Sequence, residues 1–94
     1  MLAYQKLLQL PYQDFIAKVL QEAPNNCTWT EISDWLSNQY TPEQIAEMYA
    51  KLYNQLCILY AIEDDFAAND LRYKMDIFWY AGDSQLNEKA IIKK

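Results

Sequence analysis

The sequence predicts an α+β domain in which three helices precede a C-terminal β-hairpin. Three consecutive segments space their apolar residues like one face of an α-helix. The segment that follows them alternates apolar and polar residues with a period of two, which is typical of a half-buried strand. These elements form one domain over residues 11–81, between an N-terminal segment (1–10) and a polar C-terminal tail (82–94).

The N-terminal segment and the first helix meet at Pro11. Residues 1–10 form either a short helix that ends before this proline or an arm that lies over the domain. Residues 11–23 form the first helix of the domain, because Pro11 suits a first turn and the apolar residues follow a helical spacing. That apolar face consists of Tyr12, Phe15, Ile16, Val19, Leu20 and Ala23.

The second and third helices each begin at a threonine. The second starts near Thr28 or Thr30 and ends near Tyr40; Thr28 and Glu31 would form a capping box, in which each side chain bonds the other residue's backbone amide. The third helix covers residues 41–56, with a capping box from Thr41 and Gln44. Its apolar face consists of Ile45, Met48, Tyr49, Leu52, Tyr53 and Leu56.

The hairpin prediction rests on residues 57–79. Residues 57–62 are a dense apolar run rich in branched and aromatic side chains, and residues 71–79 place alternate apolar residues on one side. An alternative continues the third helix through residue 70, giving an all-α helical bundle, since no glycine or proline forbids it. Glu63 interrupts the apolar stripe of such a helix, which favours the hairpin.

This order of elements resembles the winged helix-turn-helix superfamily over residues 11–81. The resemblance rests on element order and not on a signature motif. In winged-helix domains the third helix enters the DNA major groove and the hairpin wing contacts the backbone. The resemblance therefore implies that residues 42–55 and the wing loop, 63–70, are the contact elements.

The charges on those elements disfavour DNA and favour a protein partner. The chain has thirteen acidic and eight basic residues, a net charge of −5, and carboxylates repel phosphates. We expect a non-catalytic protein–protein interaction module whose partner is a basic protein or a second copy of the chain. The candidate contact residues are charged, polar or aromatic: Glu43, Glu47, Lys51, Asn54, Tyr60, Glu63, Asp64, Asp65 and Tyr80.

The alternative function is a nucleic-acid-binding transcriptional regulator that uses Lys51, Arg72 and Lys74. Eight tyrosines and three tryptophans are many for 94 residues, and they fit the interaction module better, because such side chains are enriched at protein interfaces. Tyr60 and Tyr80 enter the candidate set for this reason.

The composition argues against several other classes. The chain has no histidine, two cysteines without metal-ligand spacing, no phosphate-binding loop and no dinucleotide fingerprint. We therefore expect no enzyme, no cofactor and no metal. No apolar run approaches the ~18 residues of a membrane span, and the N-terminus lacks a secretory layout, so we expect a cytoplasmic protein without a membrane partner.

Overall fold

The computed structural model describes residues 3–92, and this part of the chain contains helices and no strand. None of these helices is both long and apolar enough to cross a membrane. They are α1 (Tyr4–Leu8), α2 (Tyr12–Glu22), α3 (Trp29–Gln39), α4 (Pro42–Ala61), α5 (Asp65–Ala81) and α6 (Ser84–Ile92).

The α+β prediction is wrong, and the fold is all-helical. The predicted strands are the last turns of α4 and most of α5. The alternating interpretation failed because most buried residues of α5 recur every three or four positions, and only Met75 and Ile77 are buried two positions apart. Ala68, Leu71, Met75 and Phe78 are buried, whereas Tyr73, which the alternation placed inside, is 61% exposed. The element order behind the winged-helix resemblance is therefore not present in residues 3–92.

A tight turn replaces the predicted wing between α4 and α5. The amide of Asp64 donates to the Leu59 carbonyl (2.9 Å) and that of Glu63 to the Tyr60 carbonyl (3.1 Å). This pair of bonds is a Schellman motif, and it places Glu63 in the left-handed region with φ of 60°. Asp64 then caps α5 by accepting from the amide of Ala67 (3.2 Å). One break in an otherwise continuous helix thus turns the chain back on itself.

The predicted helix starts are confirmed. Thr28 and Glu31 form a reciprocal capping box, with N···O distances of 3.2 and 2.9 Å. Thr41 and Gln44 form the second, with distances of 3.1 and 3.0 Å. These caps satisfy amides that the first turn of a helix leaves unpaired.

The core centres on α4, which packs against both α5 and α6, while α3 packs against α5. Met48 and Leu52 on α4 are fully buried, as the helical face predicted. On α2, the ring of Phe15 stacks on that of Phe78 from α5, with 5.7 Å between centroids. Because α3 and α4 both pack against α5, these contacts determine which faces of α5 remain exposed.

The C-terminal segment, 82–94, contains α6, which packs on α4. Gly82 permits this packing: a Cβ there would lie 2.8 Å from Cγ2 of Ile45 and 3.1 Å from Oδ1 of Asn87. Asn87 is fully buried, and its Nδ2 donates to the Trp79 carbonyl (3.3 Å).

Candidate protein-interaction surface

Four of the predicted contact residues line one open groove of about 690 Å³ between α4 and α6. Glu43, Glu47, Lys51 and Asn54 all lie along it. Its remaining lining is largely apolar, from Leu8, Ala46, Ala50, Ile58, Leu86 and Ala90. These four residues therefore lie together, because their three- and four-residue spacing places them on one face of α4.

Two of these four residues also have contacts within the fold. The Tyr4 hydroxyl lies 2.7 Å from Oε1 of Glu47, so α1 is tied to α4. Burial and this hydrogen bond raise the pKa of Tyr4 far above that of free tyrosine. The ammonium of Lys51 lies 5.8 Å from the ring centroid of Phe15, and burial lowers the pKa of Lys51.

Four more predicted residues lie at the α4–α5 turn, away from that groove's lining. Tyr60 lies in the last turn of α4, and its hydroxyl accepts from Nη1 of Arg72 (3.3 Å). Glu63 and Asp64 form the Schellman turn and the α5 cap, and Asp65 is the first residue of α5. These acidic residues thus have a structural role in ending one helix and starting the next.

The remaining predicted residues are on α5. Lys74 forms an ion pair with Asp70, with 3.0 Å between Nζ and Oδ2. Tyr80 lies near the end of α5, ~22 Å along the helix from Asp65 at 1.5 Å per residue. The predicted contact residues therefore do not form one surface.

The three most exposed aromatic side chains of residues 3–92 lie in a line on the outer face of α5, which we call the aromatic stripe. Phe66 is 88% exposed, Tyr73 61% and Tyr80 75%. Their seven-residue spacing keeps them on nearly the same side of a helix, over a length of ~21 Å. Exposed aromatic side chains in such a line can serve as separate anchors for a partner.

A cleft of about 410 Å³ between α3 and α5 adjoins the Tyr80 end of the stripe. Its lining is Trp29, Thr30, Ser33, Asp34, Asp76 and Tyr80. The indole of Trp29 stacks on the ring of Tyr73, with centroids 5.1 Å apart. The buried Ser33 hydroxyl donates to the Ile77 carbonyl at 3.0 Å, which fixes α3 against α5.

A second groove, of about 480 Å³, adjoins the Phe66 end of the stripe, between α2 and α5. Tyr12, Ile16 and Leu20 of α2 provide its apolar side, opposite Phe66 and Ala67. The stripe therefore has a depression beside each end, the α2–α5 groove at Phe66 and the α3–α5 cleft at Tyr80.

Sequence reasoning missed Phe66, Tyr73, Trp29, Asp34 and Asp76. The period-two interpretation assigned Phe66 to a loop and Tyr73 to the buried side of a strand. The available signal was the seven-residue spacing of Phe66, Tyr73 and Tyr80, which has meaning only on a helix. Of the two aromatic residues in the predicted contact set, Tyr80 is 75% exposed and Tyr60 is 44% exposed.

Comparison with known proteins gives no match, whether to family models, to curated proteins or to solved structures.

Proposed function

We propose that this chain is a non-catalytic protein–protein interaction module that docks its partner on the aromatic stripe of α5. The observation that carries the proposal is the exposure of Phe66, Tyr73 and Tyr80 in one line. Burying a large apolar side chain such as Phe66 is worth ~1.5–3 kcal/mol. A partner that covers all three would gain the kind of aromatic anchors that dominate interface energies.

The charges around the stripe support a basic partner. Asp65, Asp70 and Asp76 share the exposed side of α5, and Asp34 faces it from α3. The cations on α5 are Arg72, which donates to Tyr60, and Lys74, which pairs with Asp70. A basic partner with apolar side chains complements such a surface and is steered to it.

The chemistry of the chain supports a non-catalytic role. The sequence has no histidine, the side chain that most often carries protons near neutral pH. Burial is the chief cause that raises the pKa values of Tyr4, Tyr40 and Tyr49 above that of free tyrosine. None of these three residues lines the cleft or the groove beside the stripe.

The proposal is tested with two matched double variants. Phe66→Ser/Tyr80→Ser removes the ends of the stripe. The control, Ile58→Ser/Ile92→Ser, removes two exposed apolar side chains outside the stripe, Ile58 at 53% exposure and Ile92 at 76%. Each variant and the wild type serves as bait in lysate of the source organism, after circular dichroism shows equal folding. The captured protein is then purified and its affinity for all three chains is measured.

We expect the first variant to lose at least about tenfold in affinity, and the second to bind like the wild type. Sedimentation of the bait alone identifies self-association, in which case the stripe variant dissociates. A partner that binds both variants equally well would contradict the proposed surface. Absence of both a partner and self-association would contradict the proposed function.

A further inference from the structure

We propose that the cleft between α3 and α5 binds an arginine side chain of the partner. This inference rests on the proposed function, and it names the chemistry that the cleft selects. It follows from three features of the cleft: aromatic walls, unpaired carboxylates and a hydroxyl at its base.

The walls of the cleft suit a planar cation. Trp29 and Tyr80 both line it, and the indole is held by its stacking on Tyr73. The Trp29 Nε1–H points to the Tyr73 carbonyl at 3.5 Å, which further limits rotation of the ring. Aromatic faces attract cations, tryptophan most strongly, and the guanidinium also stacks flat on a ring.

The cleft carries negative charge on two carboxylates. Asp34 and Asp76 line it, and no lysine or arginine does. Arg72, one turn before Asp76, lines a neighbouring depression with it but forms no ion pair with it. Within residues 3–92, the one ion pair between side chains is Lys74 with Asp70, so neither of the two cleft carboxylates has a cation of its own. Carboxylates prefer arginine, because its fork of N–H groups donates two parallel hydrogen bonds.

Ser33 adds a hydrogen-bond acceptor at the base of the cleft. Its hydroxyl proton is used in the bond to the Ile77 carbonyl, so its lone pairs remain available. The side chain is more than nine-tenths buried. An arginine that enters between Trp29 and Tyr80 would find acceptors on more than one side, whereas its propyl stem would lie on the rings.

A divalent metal ion fits the cleft less well. Calcium and magnesium require six or more oxygen ligands and favour carboxylates, of which this cleft supplies two. Within residues 3–92, no group of three or more acidic or sulfur side chains comes together to hold a metal ion.

The test is an NMR titration of the full ¹⁵N-labelled chain with three blocked tripeptides, Gly-X-Gly, in which X is arginine, citrulline or lysine. Citrulline has the shape of arginine without its charge. We expect saturable shifts of the Trp29 indole and of the Ser33 and Ile77 amides with arginine, and at least about tenfold weaker binding of citrulline. Lysine should bind more weakly than arginine.

Variants assign the effect to the cleft. Asp34→Asn/Asp76→Asn should weaken arginine binding at least about fivefold, and Tyr80→Ala likewise, whereas Tyr80→Phe retains it. Glu88→Gln removes one exposed carboxylate that does not line the cleft and should change nothing. These side chains are at the surface, so the folds should survive.

Three results would overturn the inference: no saturable shift up to about 20 mM arginine peptide, equal binding of arginine and citrulline, or arginine binding that Asp34→Asn/Asp76→Asn leaves unchanged. Failure of the arginine-site inference can be distinguished from failure of the proposed function. A partner captured through Phe66 and Tyr80 but indifferent to Asp34→Asn/Asp76→Asn would retain the stripe and reject the arginine site. Arginine binding in the cleft without any protein partner would support the arginine site and contradict the proposed function.

Discussion

Replacing Glu63 by glycine should stabilise the protein, although it removes a side chain. Glu63 occupies the left-handed position that ends α4, with φ of 60°. A side chain in this region costs roughly 1–2 kcal/mol, and glycine adopts it freely. Glycine also gains conformational freedom in the unfolded chain, which offsets about half of that benefit. The net expectation is a gain of about 0.5–1 kcal/mol.

The assay is urea unfolding followed by far-UV circular dichroism, with thermal unfolding as a second measure. For a domain of this size the expected gain raises Tm by roughly 2–8 °C. Glu88→Gly is the matched control, because Glu88 lies inside α6 with similar exposure. That control should lose about 1 kcal/mol, since glycine is unfavourable in a helix interior. If Glu63→Gly destabilised the chain as much as Glu88→Gly does, the α4–α5 turn described above would be wrong.

Three further predictions follow from the structure. Gly82→Ala should lose about 1–3 kcal/mol in urea unfolding, because its Cβ would lie 2.8 Å from Cγ2 of Ile45; Ile45→Val should recover part of that loss. Tyr4 should ionise above the ordinary value of 10.0, so Tyr4→Phe should remove a late component from a phenolate absorbance titration. The pKa of Tyr4 is higher in the folded state than in the unfolded chain. The stability that Tyr4 contributes is therefore complete below pH 10 and is lost as the pH rises through its folded-state pKa. Duplex DNA should bind no tighter than ~10⁻⁴ M at physiological salt in a gel-shift titration, and micromolar binding would favour the transcriptional regulator instead.

Local signals predicted the first part of the fold well. The capping boxes at Thr28 and Thr41 involve residues three apart, so their chemistry is readable without knowledge of the tertiary structure. Pro42 at the first helical position and the buried face through Met48 and Leu52 are confirmed for the same reason. Where a helix begins with a specific cap and continues with one clear apolar period, the sequence is sufficient to predict the helix.

The second part depended on how α4 ends, and here the sequence allowed two readings. Residues 57–62 favour strand by intrinsic propensity, but Leu56 and Leu59 continue the buried face of α4. Glu63 and Asp64 look like a wing tip, yet they combine a helix stop with a cap for the next helix. Tertiary packing decided between the readings, and intrinsic propensity is too weak to oppose it.

The candidate surface was only partly predictable because exposure depends on the fold. Tyr80 was identified for its chemistry, which does not change with secondary structure. Phe66 and Tyr73 were missed, since only a helix aligns them with Tyr80. The cleft acids Asp34 and Asp76 come from different helices, and no local pattern joins residues that far apart in sequence.

Site-specific photo-crosslinking in cells of the source organism tests the central claim most directly. A photoreactive phenylalanine analogue is placed at position 66 or 80 on the stripe, and at position 58 or 92 as the control. The account predicts a discrete adduct with one protein, or with a second copy of the chain, from positions 66 and 80 only. Adducts of equal yield from all four positions, or none from 66 and 80, would contradict it.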